Sequence, residues 1–389
     1  DYLEHTIRGH ALGRFDDLLL ATARSPAMLF YLDQAESVAA ADATRVGPGG
    51  RRISANARPA FGGDRSRFPN PRAGTYPAAP GADPAATTVA QQPAQQRAPR
   101  GLNENYAREL MELHTLGVDG GYTQQDVINV ARILTGWGID RRGASYTFRI
   151  AAHDEDPKTV MGQRFDGGHG EDEGVRLLKL LANDPATIHH VSAQLCARFV
   201  NDVPPDGCID DAVQAWKKSG GEIRDVVRAI VHSPDFWAAP NVESKVKTPL
   251  EFVVSAVRAV SGAPDSTPRL AQRVAQLGEP LFQHQTPDGY GERQEDWVNS
   301  GALLARMNFA VQLASGRVPG VTVDLDRVLP ATDDHTALVG AVDQAILGGA
   351  MTPQTRQTIL KEISDVPDPH MARALAVGLA IGGPEFQRQ

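Results

Sequence analysis

LNENYARELMELHTLGVDGGYTQQDVINVARILTGW, residues 102–137, decides the fold class. Placed at 100° per residue, Tyr106, Ala107, Leu110, Met111 and Leu113 gather on one arc. Glu104, Asn105, Arg108, Glu109 and Glu112 gather on the other, so Asn103 to Leu116 reads as one amphipathic helix stopped by Gly117. Asp119-Gly120-Gly121 is a turn. Thr123 with Asp126 three residues on resembles a capping box, opening a second helix that carries Val127, Val130, Ala131 and Leu134.

Working outward, the same period recurs at about 173–182, 185–200, 209–218, 222–233, 248–261 and 300–315, with shorter helices closing the chain before Pro384. Towards the N-terminus Leu3, Ile7, Ala11 and Arg14 fall at helical spacing. Ser25-Pro26 reads as an N-cap followed by proline at the first helical position, for a short helix through Leu32. Tyr146 to Ile150 alternates as a strand, with 160–165 as its partner. The expected fold is mainly α, a multi-helical globular bundle with at most a small β-hairpin near 146–165.

Helical patterning disappears between Ser37 and Gly101. Positions 41–100 hold nine proline, seven glycine and only three aromatic residues, which cannot bury enough apolar surface to offset chain entropy. The expected organisation is a core formed by 1–36 with 102–389 as one domain, interrupted at 37–101 by a low-complexity, disordered insertion.

The full chain has 389 residues and a net charge of −8, with no basic block interleaved with aromatics, so no nucleic-acid groove is expected. The longest uncharged apolar run, Ala374 to Gly383, is far short of the ~18 residues a membrane helix needs, so no integral membrane segment is expected.

The polar residues allow chemistry and a plainer reading side by side. His114 falls in the apolar arc, so a regular helix cannot present it to a metal together with Glu109 or Glu112. HExxH is absent, and no metal site is expected; His114 reads as a core histidine with a hydrogen-bond partner. Glu109 and Glu112, at i, i+3, are close enough to act as a general acid/base pair. Glu104, Arg108 and Glu112 at i, i+4 steps equally form a solvated ion-pair stripe. His153-Asp154, followed by Asp156 and Lys158, suits proton shuttling or metal binding, or the capping of a loop. Gly167-Gly168-His169-Gly170 lacks the strand and helix context of a phosphate loop. Cys196 and Cys208 would pair in an exported protein and stay reduced in a cytosolic one.

Asn103-Glu104-Asn105, Ala107-Arg108-Glu109-Leu110, Glu112-Leu113-His114, Leu116-Gly117 and Thr135-Gly136-Trp137 fall in an order that resembles the bacterial family known as domain of unknown function 1800. ALGRFDDLLLATARSPAMLFYLD at 11–33, His153-Asp154 with Lys158 and Gly162, SKVKTPLEFVVSAVRA, PDGY, Trp297 and the closing GGPEFQ extend the likeness. The resemblance implies export by a signal peptide and a further helical segment ahead of Asp1. It also implies a co-encoded partner similar to sulfatases and alkaline phosphatases. The family names no reaction and no cofactor. The expected function is an exported hydrolase of an envelope or environmental polymer, using Glu104, Glu109 and Glu112 with Arg108, Asp154 and His153 as catalytic groups. Asn103, Asn105, Lys158 and Trp137 would bind substrate, and the 153–158 loop would fold over the glutamate face. The alternative is a non-catalytic exported assembly or binding protein in which the same helix is a structural network.

Overall fold

The computed structural model describes residues 1–47, 52–53, 101–140, 142–330 and 332–389. Among the described residues helices make up 54% and strands come only as short antiparallel pairs, so the protein is mainly α, as its periodicity predicts. Most of the 37–101 stretch, where a disordered insertion is expected, lies outside the described residues. The chain divides into two compact units. One is Asp1–Leu195 with Ile209–His232; the other is Cys196–Cys208 with Ser233–Gln389.

In the first unit the signature helix spans Glu104–Glu112 and so ends earlier than its periodicity predicts. Asn103 starts it, its side-chain oxygen accepting from the Tyr106 amide at 3.0 Å. At the far end, side chains take carbonyls that another helical turn would have used. His114 Nδ1 donates to the Glu109 carbonyl at 2.9 Å and Thr115 Oγ1 to the Leu110 carbonyl at 2.8 Å. Gly117 completes the exit with φ +82°; a Cβ there would lie 2.8 Å from His190 Nδ1. The Thr123–Asp126 capping box opens the next helix, Gln124–Ile133, as the sequence predicts. Ser25 likewise caps the helix Pro26–Tyr31, accepting from the Ala27 amide.

The strands differ from expectation in number and pairing. Ser145–Phe148 pairs not with 160–165 but with Trp137–Asp140, and Lys158–Val160 turns back onto Gln163–Phe165. The second hairpin closes through two residues, Met161 and Gly162, with φ of 47° and 77°. Positive φ at both central positions gives a turn whose twist matches that of the strands, so this pairing is settled locally. Residues 38–46 lie along the loop that joins the two hairpins. The Ala39 amide bonds the Ala152 carbonyl at 2.9 Å, and the Glu155 amide bonds the Thr44 carbonyl at 2.9 Å. The helix Glu171–Ala182 then buries Leu177, Leu178 and Leu181.

The second unit has a largely apolar core between the helices Pro249–Ala259, Ser300–Ala314, His335–Leu347, Pro353–Ile363 and Pro369–Gly382, two of which also bury Arg306 and Asp343. Phe252, Phe309, Leu313, Val342 and Val377 are among its buried members. Cys196 and Cys208, left open by the sequence, form a disulfide with Cα atoms 6.2 Å apart. Closing a loop of 12 residues restricts the unfolded chain, so reduction should remove about 3 kcal/mol of stability. Urea titrations with and without reductant measure this, and coincident curves would contradict it.

Helix Pro369–Gly382 meets Ser300–Ala314 through glycines one turn apart. A Cβ on Gly378 would stand 2.8 Å from Val311 Cα, and one on Gly382 would stand 2.4 Å from Met307 Sδ. Alanine at position 378 gains about 1 kcal/mol of helix propensity, but overpacking against backbone costs about 1–3 kcal/mol. Gly378→Ala should therefore lower the melting temperature. A rise would mean that the two backbones do not touch there.

Candidate functional site

Two polar groupings grow out of the signature region, and the structure separates them by burial. The first is the outer arc of Glu104–Glu112. Tyr106, Ala107, Leu110 and Met111 are buried on the opposite arc, and the Tyr106 hydroxyl donates to the Ala23 carbonyl at 3.1 Å. That anchoring leaves Glu104, Arg108, Glu109 and Glu112 partly exposed and Asn105 exposed. Gln124 bridges two of them: its Nε2 donates to Glu104 Oε2 at 2.8 Å, and its Oε1 accepts from the Arg108 guanidinium at 2.7 Å. Tyr122 lies in the field of the same residues. Burial, then the Glu112 carboxylate, raises its phenol above the ordinary value, while Arg108 pulls it down. His114 is a half-buried ring whose pKa burial lowers, against the opposing hydrogen bond to the Glu109 carbonyl, so it is neutral at pH 7. Asn103, expected at the substrate, is occupied as the helix cap, and its Nδ2 donates to the Leu32 carbonyl at 2.7 Å.

The second grouping is interior. His153, Asp154 and Lys158 are 0%, 1% and 3% exposed, and the structure brings them together with Arg132, Thr135 and Glu173. Arg132 grips Asp154 with two hydrogen bonds, 2.7 and 3.3 Å. The Lys158 ammonium donates to Glu173 Oε2 at 2.7 Å and to the Asp154 carbonyl. His153 Nδ1 donates to the Thr135 carbonyl at 2.9 Å and its Nε2 faces Glu173 Oε2 at 3.7 Å, while Thr135 Oγ1 accepts from the Asp154 amide at 2.9 Å. Arg132 thus pairs with Asp154 and Lys158 with Glu173, and Glu155, also buried, adds a further carboxylate to the same loop. This buried set spends its bonds on itself, so the 153–158 side chains are not a loop laid over the glutamate arc. Trp137, expected to bind substrate, is fully buried, with its ring against Gly174, where a Cβ would come within 2.4 Å.

Arg132, Thr135, Glu173, Tyr122 and Gln124 escaped the sequence reading. Thr135 lies inside the Thr135-Gly136-Trp137 motif, and Glu173 reads only as one acid of a helix start. Gly167–Gly170 does lie between a strand and a helix, contrary to expectation. That helix nevertheless opens with Glu171, Asp172 and Glu173, and Glu173 Oε1 takes the His169 amide at 3.3 Å. The Glu173 carboxylate takes an amide that a phosphate would use, and Glu171 and Asp172 add negative charge beside it. Among the described residues no group of three or more His, Cys, Asp or Glu could hold a metal ion.

Burial alone would raise the Glu173 carboxyl, but the hydrogen bond and charge of Lys158, with His153 facing it, outweigh that and hold it below the ordinary range. A carboxylate with a depressed folded-state pKa contributes stability above its unfolded value, about 4.3, and loses it as pH falls through the folded value. Urea unfolding from pH 7 to pH 3 should show this loss below about pH 4.3. Glu173→Gln should cost about 3–5 kcal/mol at pH 7 by leaving Lys158 only the more distant Asp154 carboxylate, 4.0 Å away, as counter-charge, and should flatten the acid limb. A variant with the parent's pH profile would dismiss Glu173 as its source.

No curated protein and no solved structure matches the chain. Among the described residues no helix is long and apolar enough to cross a membrane. The family described as "Protein of unknown function (DUF1800)" matches residues 1–388, essentially end to end, and the chain belongs to that family.

Proposed function

We propose that the protein is an exported hydrolase of a polar polymer, working from the Glu104–Glu112 arc. One observation carries the reading. Glu109 and Glu112 lie one turn apart on a partly exposed face, beside Arg108 and Tyr122, while the opposite face is anchored in the core. Side chains at i, i+3 stand about 5–6 Å apart at Cβ, close enough for two carboxyls to serve one scissile bond. One delivers a proton to the leaving group while the other, as carboxylate, activates the attacking water. His153, Asp154 and Lys158 hold the scaffold from inside and touch no substrate. The Cys196–Cys208 disulfide supports export, since such bonds persist in oxidising compartments. A co-encoded partner similar to sulfatases and alkaline phosphatases belongs to the same proposal.

Gln124 favours a second reading, a non-catalytic exported assembly or binding protein. By tying Glu104 to Arg108 it already satisfies half of the arc internally. Screening the full chain against polysaccharide and ester libraries separates the two. On a substrate found in this way, Glu109→Gln and Glu112→Gln should each lower turnover by about 10²–10⁴-fold. Their melting temperatures should stay near the parent's, because partly exposed charges contribute little to stability. Normal turnover in both variants with a lowered melting temperature would hand the arc to the second reading.

A further inference from the structure

The second unit carries a groove of about 510 Å³ lined by Lys247, Glu251, Val254, Ser255, Arg258 and Gln389. Positions 247, 251, 254, 255 and 258 follow helical spacing, so the groove runs along one face of Pro249–Ala259. Its volume falls within the range of ordinary ligand sites.

The charges in it are unequal in freedom. Glu251 is spent: its Oε1 pairs with Arg198, and its Oε2 accepts from the Thr248 amide at 2.9 Å and from Gln389 at 3.0 Å. Lys247 is half-buried and makes no ion pair among the described residues. Its ammonium has only neutral partners, the Phe386 carbonyl at 2.6 Å and the Phe386 ring at 4.1 Å. Burial lowers its pKa despite the opposing pull of Glu251 and Glu243, the mark of a cation short of counter-charge. Arg258, exposed at the other end, also lacks an ion pair among the described residues. From Pro249 to Arg258 the helix rises about 14 Å, and Lys247 lies before its cap, so one small anion cannot meet both cations.

We propose that this groove binds an extended acidic polysaccharide, one carboxylate meeting Lys247, another meeting Arg258, and hydroxyls meeting Ser255 and Gln389 between them. An uncompensated cation at each end selects a linear polyanion, and the polar side chains between them suit sugar hydroxyls better than an apolar chain. The site lies in the second unit and is read by binding, so its failure leaves the Glu109–Glu112 reading standing, and the converse holds.

The test is calorimetric titration of the full chain with oligogalacturonate, its methyl-esterified neutral counterpart, and an acidic peptide of equal charge. Saturable binding is expected for oligogalacturonate alone, weakening at high salt because exposed charges are screened. Arg258→Glu, on an exposed position that does not endanger the fold, should weaken it at least tenfold, and Arg258→Lys should keep most of it. Absence of oligogalacturonate binding, equal binding of the esterified oligomer, equal binding of the acidic peptide, or an unaltered Arg258→Glu variant would each overturn the proposal.

Discussion

Three buried charged side chains and the partly exposed Arg132, gathered in one place, oblige their surroundings to fit them. Removing an ion from water costs several kcal/mol, and only close, well-directed partners return it. Arg132, Asp154, Lys158 and Glu173 come from a helix, a loop, a strand and a second helix, and their pairing fixes all four segments at once. The glycines of the region follow from that closeness. A Cβ at Gly167 would lie 1.9 Å from the Glu155 carbonyl oxygen, and one at Gly136 would lie 2.7 Å from that of Arg149. Thr135 and His153 add hydrogen bonds to the network, Thr135 Oγ1 accepting from the Asp154 amide and His153 Nδ1 donating to the Thr135 carbonyl, while His153 Nε2 is left facing Glu173 at 3.7 Å without a hydrogen bond.

Much of the fold was legible because it is specified locally. Ser25-Pro26 and Thr123 with Asp126 mark helix starts through groups only two or three residues away, and both act as caps in the structure. The end of the signature helix was not legible. It depends on His114 and Thr115 folding back and on His190 occupying the space beside Gly117, a contact 73 positions distant in the chain. The hairpin pairing was missed for a related reason. Met161 adopts a left-handed φ that its side chain does not advertise, and only the glycine after it hints at a turn.

The site was legible in its parts and illegible in its partition. His153, Asp154 and Lys158 stand out in the sequence as polar residues close together, which is equally the pattern of a surface site and of an interior network. What separates the two is Glu173, fifteen residues after Lys158 and indistinguishable in sequence from its neighbours Glu171 and Asp172. Helical phase turns Glu173 inward, where Lys158 meets it. No periodicity of the local sequence reports that meeting.

The partition bears on which polarity asks for a functional account. The interior set largely explains itself: Arg132 matches Asp154 and Lys158 matches Glu173, and removing one partner would expose the cost of the other. The arc of Glu104, Arg108, Glu109 and Glu112 gains no such protection from burial. Like charges one turn apart cost a few tenths of a kcal/mol on a helix, and the single arginine offsets that only in part. Gln124 relieves Glu104 and Arg108, yet a surface needing only solubility would be served as well by fewer carboxylates and mixed signs. Three glutamates thus share a face whose reverse side is locked into the core. Our proposal therefore assigns the chemistry to the exposed arc and leaves the buried network as the frame that holds it still.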